Sequence, residues 1–116
     1  MRITLNGIAD PWIPDNQFIQ PPAGIRYVAF EVTIENTGGT GTHVSNPFNL
    51  ELTDVQDFAY AAAFFGPQPA LRAVRLGSGQ KTRGWVTFEV NAEAPLKLLR
   101  YDPKISTTND IEFQFR

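Results

Sequence analysis

The chain contains no cysteine, a single histidine and a single methionine. Without cysteine there is no disulfide framework, no thiolate nucleophile and no Cys-ligated zinc. With only His43 and Met1 left as soft or imidazole ligands, copper handling is excluded on ligand supply. Zinc would require His43 together with carboxylates, and no convergent set is spelled out. No run approaches the roughly 18 apolar residues of a membrane-spanning helix. The opening Met1-Arg2-Ile3-Thr4-Leu5-Asn6 lacks the apolar stretch of a signal peptide and alternates like a strand. Two settings are therefore expected: the cytoplasm, or export directed by a segment upstream of this chain. Charge of one sign is also scarce. A net charge of −2 offers no basic field, so no nucleic-acid partner is expected.

What is present is apolar payload. Of the 116 residues, 42% are hydrophobic and 19% charged, which favours an ordered globule over a disordered tail. The length suits one domain, taken as residues 1–116. Residues 25–36 carry the clearest pattern. Val28, Phe30, Val32 and Ile34 fall on one side, and Tyr27, Ala29, Glu31, Thr33 and Glu35 on the other. A side-chain period of two directs the first set into a core and the second toward water. The strand ends at Thr37-Gly38-Gly39.

Shorter alternating segments lie at residues 2–8, 42–45, 48–53 (Phe48, Leu50 and Leu52 inward), 58–63, 71–76 and 111–116. Residues 81–90 form the second strong strand, with Val86, Phe88 and Val90 on one face and Arg83, Trp85, Thr87 and Glu89 on the other. Residues 96–101 are apolar on both faces, which suggests a central strand. Turn signals such as Asp10-Pro11, Pro21-Pro22, Gly77-Ser78-Gly79 and Asp102-Pro103 separate them, and no segment has a helical period. The expected fold is all-β, an antiparallel sandwich of about seven to nine strands.

Several segments together carry a family likeness: Ala23-Gly24-Ile25-Arg26-Tyr27 at a strand start, Glu35-Asn36-Thr37-Gly38 at its end, Asn46-Pro47-Phe48-Asn49-Leu50-Glu51-Leu52-Thr53-Asp54, and Gly79-Gln80-Lys81-Thr82-Arg83-Gly84-Trp85-Val86-Thr87-Phe88-Glu89-Val90. Leu98-Leu99-Arg100-Tyr101-Asp102-Pro103 and the last strand complete it. The chain resembles the bacterial immunoglobulin-like domain of unknown function found in surface lipoproteins, related in fold to the immunoprotective extracellular antigen. That resemblance covers nearly the whole sequence. It implies an immunoglobulin-like sandwich in an extracellular or cell-surface setting, and it implies no catalytic residues. The chain departs from the pattern in having no lipidated cysteine, and in placing Val55-Gln56-Asp57 where a glycine-containing turn is common.

Candidate chemistry is sparse. His43 reads as a solvated edge-strand residue. Asp54 and Asp57 flank a turn that ordinary Asx hydrogen bonding explains, without the oxygen-rich loop calcium needs. Gly77-Ser78-Gly79 lacks the spacing of a nucleophile elbow and is not followed by the Gly-Lys-Ser/Thr of a phosphate loop. No nucleophile–base–orienter set can be assembled, so no enzyme, metal or cofactor is expected.

The aromatic residues Trp12, Tyr60, Phe64, Phe65 and Trp85 are more informative. Trp85 is out of phase with its strand's core face, so it is either covered by a loop or exposed for recognition. Phe64-Phe65-Gly66-Pro67 is either an inter-sheet plug, the favoured reading, or a sticky loop. Arg72, Arg75, Lys81 and Arg83 surround one turn and would form a small basic face if their strands were neighbours. The expected function is therefore non-enzymatic binding of a protein partner through loops and one sheet face. Trp85, Arg83, Arg75 and Arg72 are the first candidates, and Trp12 and Phe65 the next. The alternatives are a module that self-associates through sheet edges, motivated by the long strand at residues 25–36 if it lies at an edge, and a carbohydrate-binding module.

Overall fold

The computed structural model describes residues 1–39, 41–103 and 111–115. The described residues contain nine strands: β1 (Arg2–Ala9), β2 (Ile25–Glu35), β3 (His43–Ser45), β4 (Leu50–Asp54), β5 (Ala59–Ala61), β6 (Val74–Leu76), β7 (Lys81–Asn91), β8 (Leu96–Tyr101) and β9 (Ile111–Gln114). β1, β2 and β7 form one antiparallel sheet in that order, and β5, β4, β8 and β9 form a second. A two-stranded piece joins β3 to β6.

The two long strands define the first layer. β2 and β7 pair without a break from Ile25↔Asn91 to Glu35↔Lys81. Their core residues therefore stay in phase, with Val28 opposite Phe88, Phe30 opposite Val86 and Val32 opposite Gly84. On the other side of β2, β1 slips by one residue between Leu5 and Gly7. This bulge puts Ile3, Leu5 and Ile8 opposite Ile34, Val32 and Phe30 respectively, so one apolar stripe survives the slip.

The core lies between the layers. Val28, Phe30, Val32, Ile34, Phe88 and Val90 from the first sheet are wholly buried, as are Leu52, Leu99 and Tyr101 from the second. Phe30 meets Phe88 edge-on at 5.8 Å and stacks on Phe115 at 5.7 Å, so β9's extension closes over the centre of β2. β8 lies between β4 and β9, the central position its two apolar faces suggested.

Five sequence expectations need correction. β2 is the middle strand of its sheet, so it offers no edge for self-association. Its second face does not simply meet water: Tyr27 and Ala29 are buried, and Glu31, Thr33 and Glu35 are half-buried. Phe48 does not point inward with Leu50 and Leu52. Asn46 Oδ1 accepts from the Phe48 amide and starts a short 3-10 turn at Pro47–Asn49, which breaks the alternation and leaves Phe48 exposed. His43 is not solvated but buried, hydrogen-bonded to Tyr101 Oη at 2.6 Å. The strand expected over residues 71–76 is confined to Val74–Leu76, because Ala70 and Leu71 are drawn onto β7 at Trp85.

The Asp54 turn follows expectation. Its carboxylate accepts the Gln56 and Phe58 amides at 2.8 and 3.1 Å and the Tyr60 hydroxyl at 2.7 Å. Burial would raise the Asp54 pKa, but these three donors outweigh it and hold the carboxyl below the ordinary value.

Candidate functional site

The outer face of the β1–β2–β7 sheet is where chain geometry and side-chain chemistry converge. After β5 the chain leaves the second sheet and crosses to the free edge of β7. Ala62 bridges to Phe88, the Ala63 amide donates to Thr87 O at 2.8 Å, and the Leu71 amide donates to Trp85 O at 2.9 Å. The Trp85 amide in turn donates to Pro69 O at 2.9 Å. Segment 62–71 is thus stitched to β7 along its length. Gly84 makes this approach feasible, since a Cβ there would lie 2.5 Å from Leu71 N and 2.6 Å from Leu71 Cα. Gly66 rests on the Thr87 side chain in the same way.

This crossing brings three of the sequence candidates together. Phe65 packs on Tyr27 at 4.9 Å, and Tyr27 packs on Trp12 at 6.1 Å. The Trp12 amide donates to Tyr27 O at 2.7 Å, which holds the segment after β1 against the start of β2. Trp85, half-buried, reaches across Glu31 toward Gly7 on β1. Phe65 and Trp85 line a common cleft of about 150 Å³ with Phe48, Phe64 and Leu71. Segment 62–71 thus engages the Trp85 backbone, while the half-buried side chain lines the cleft.

The rim of this face is apolar. Phe64 is 92% exposed and tilts against Phe48 at 5.0 Å, and Phe48 is itself 48% exposed. Phe58, just before β5 and not lining this cleft, is 56% exposed. Phe65 is no inter-sheet plug: it rests on Tyr27 on the outer face, while its neighbour Phe64 is left outside. Solvated large aromatics side by side are unusual on a soluble surface and mark contact sites.

The arginines are dispersed. Arg83 is held by Glu31 at 2.9 Å, one step along β7 from Trp85, and that hydrogen-bonded pairing raises its pKa. Arg75 sits on β6, which pairs with β3 and not with β7, so the two do not share a sheet. Arg72 is exposed just past Leu71. Residues that the sequence did not single out are Tyr27, Phe48 and Glu89. Tyr27 and Glu89 are cross-strand partners on the outer face, and burial, then the Glu89 charge, raise the Tyr27 pKa. The available signal was the pair of glycines at 66 and 84, placed where the backbone must approach another segment.

His43 does not line this cleft. Burial, and then the positive N-terminus, lower its pKa, so it is held neutral against Tyr101. Among the described residues no group of three His, Cys, Asp or Glu side chains could hold a metal ion. Among them, too, no helix is long and apolar enough to cross a membrane.

Fold and site together define an immunoglobulin-like β-sandwich whose outer sheet face carries a loop-covered aromatic row. The chain belongs to the family described as Domain of unknown function (DUF4352), whose model matches residues 1–111. Among solved structures it is similar to a Bacillus subtilis protein, ycdA, described as a lipoprotein, at a TM-score of 0.78 and 13% identity, covering 97% of this chain and 35% of that one. The chain thus spans about a third of ycdA's length. It is also similar to MPT63, a secreted protein from Mycobacterium tuberculosis, at a TM-score of 0.63 and 13% identity, covering 97% of this chain and 80% of that one. At such identity these likenesses show the fold alone. No curated protein sequence matches significantly.

Proposed function

We infer that the chain is a non-enzymatic interaction domain that docks a protein partner on the outer face of the β1–β2–β7 sheet, in an exported or cell-surface setting. The observation that carries this reading is the exposed Phe64–Phe48 pair at the mouth of the cleft lined by Phe65 and Trp85. Contact sites gain most of their affinity from a few large aromatics in such clefts. The setting is supported by the lipoprotein and secreted descriptions of the two structural neighbours. A non-enzymatic role is supported by the sole histidine being engaged inside the fold by Tyr101.

The test is capture of the partner by the protein displayed on its own cell surface, comparing wild type with the Phe48→Ala/Phe64→Ala double variant. Capture should be lost while the thermal midpoint stays close to wild type, because Phe64 contributes little to the core. Undiminished capture by the double variant would sink the reading. A carbohydrate is the second reading, favoured by the Trp12–Tyr27–Phe65 row on one face. Binding on a glycan array that Trp12→Ala abolishes would establish it in place of the protein partner.

A further inference from the structure

A second cleft, of about 480 Å³, opens where β5 parts from β7, next to the aromatic row. Its wall is made of small residues, Ala61 and Ala63 among them, with Phe64 and Phe65 at one end and Tyr60 at the other. Glu89 is the one acidic residue lining it. The volume falls in the range of roughly 300–1,000 Å³ typical of sites that enclose a ligand.

Glu89 is electrostatically unlike most carboxylates of the molecule. Asp10, Glu31, Glu35, Glu51 and Asp57 each have a cationic partner, at distances from 2.6 to 3.4 Å. Asp54 is satisfied by three donors inside the fold. Glu89 is exposed and has no ion-pair partner among the described residues. It stands opposite Tyr27 in the β2–β7 ladder, and Phe65 packs on Tyr27. A carboxylate with no ion-pair partner among the described residues thus lines the same cleft as Phe64 and Phe65, opposite Tyr27 on the neighbouring strand.

Aromatic faces and a carboxylate in one cleft are complementary to a cation on an apolar stem. Arginine fits this combination better than lysine. Its planar guanidinium stacks on rings while its N–H groups pair with a carboxylate in a fork. We propose that this cleft receives an arginine side chain from an apolar segment of the protein partner, with Glu89 pairing the guanidinium and Phe64 and Phe65 flanking it. This rests on the docking reading above and specifies its chemistry: the outer face supplies the apolar anchors, and the β5–β7 cleft reads the charge.

The proposal is tested on the whole chain without the natural partner. A short blocked peptide with one arginine between two leucines is titrated into isotopically labelled protein at low salt, and amide shifts are followed. Shifts should cluster at residues 59–65 and 89. Replacing arginine by citrulline, which keeps the shape and removes the charge, should weaken binding roughly tenfold, and Glu89→Gln should weaken the arginine peptide by roughly the same factor. Cation–π contact and the ion pair should together make binding fall as salt rises. Equal binding of the arginine and citrulline peptides, equal binding by Glu89→Gln, or shifts outside this cleft would overturn it. With the natural partner in hand, the two readings separate. Capture lost in Phe48→Ala/Phe64→Ala but kept in Glu89→Gln overturns the arginine assignment and leaves the docking face standing.

Discussion

The two faces of β2 are made by the same strand with the same period, yet they end in different states. The inner face carries Val28, Phe30, Val32 and Ile34, and it is closed by the opposite sheet in one apolar core. The outer face carries Tyr27, Ala29, Glu31, Thr33 and Glu35, and it is closed only in part, by a loop whose backbone is pinned to β7. A sheet seals a sheet because both present continuous apolar area. A loop of ten residues, 62–71, lacks that area, and its coverage ends at a rim of exposed rings. The lesson is that alternation reports which face is apolar and not which face is covered.

Substitutions should separate the faces by size of effect. The largest is expected at the inner face: Phe30→Ala removes a ring packed on Phe88 and Phe115 and should cost about 3–5 kcal/mol in denaturant unfolding. A loss below about 1 kcal/mol would mean that the inner face is not the stabilising one. Next comes the seam between sheet and loop. Gly84→Ala would press a methyl onto the Leu71 backbone, so a loss of about 1–3 kcal/mol is expected, with faster amide exchange at Leu71 and Trp85. Unchanged exchange there would show that the loop does not depend on this close approach.

The pH response should be smaller and should belong to neither face. His43 is held neutral, with its pKa below the free value, chiefly by burial. Its contribution is fully present above the unfolded value, near about 6.5, and is lost as pH falls from there toward the folded pKa. Asp54 adds a second decline at lower pH: its pKa is depressed, so its contribution holds above the unfolded value, near about 3.9, and is lost as pH falls through the folded one. Urea midpoints measured from neutral to acid pH should show the first decline in wild type and not in His43→Phe. The smallest stability change is expected at the rim, where Phe64→Ala should stay within about 0.5 kcal/mol of wild type. A much larger loss would place Phe64 in the fold and remove it from the binding face.

How much of this was legible depends on the range over which each feature is determined. The inner stripe of β2 and of β7 was readable, because a period of two is local and Val28 through Ile34 state it without interruption. The Asp54 turn was readable for the same reason. Phe48 was misread although the cause is local: Asn46-Pro47 caps a 3-10 turn and uncouples Phe48 from the alternation that Leu50 and Leu52 obey. His43 was misread because its partner Tyr101 lies 58 residues away. The candidate face was half legible. Trp85, Phe65 and Trp12 could be named one by one, but their assembly depends on segment 62–71 crossing between sheets, and no periodicity encodes that crossing.

Arg26 carries a consequence of its own. Its guanidinium is bonded to Asp10 at 2.8 Å and to the carbonyls of Asn91, Ala92 and Ala94 at 2.6, 3.0 and 2.8 Å. One side chain thus ties the segment after β1 and the start of β2 to the turn between β7 and β8. Small exported sandwiches often give that task to a cystine. Here it falls to a cation that neither oxidant nor reductant alters, so the tie holds alike in a reducing cell interior and an oxidising exterior. The fold thus keeps this tie without depending on the redox state of its surroundings.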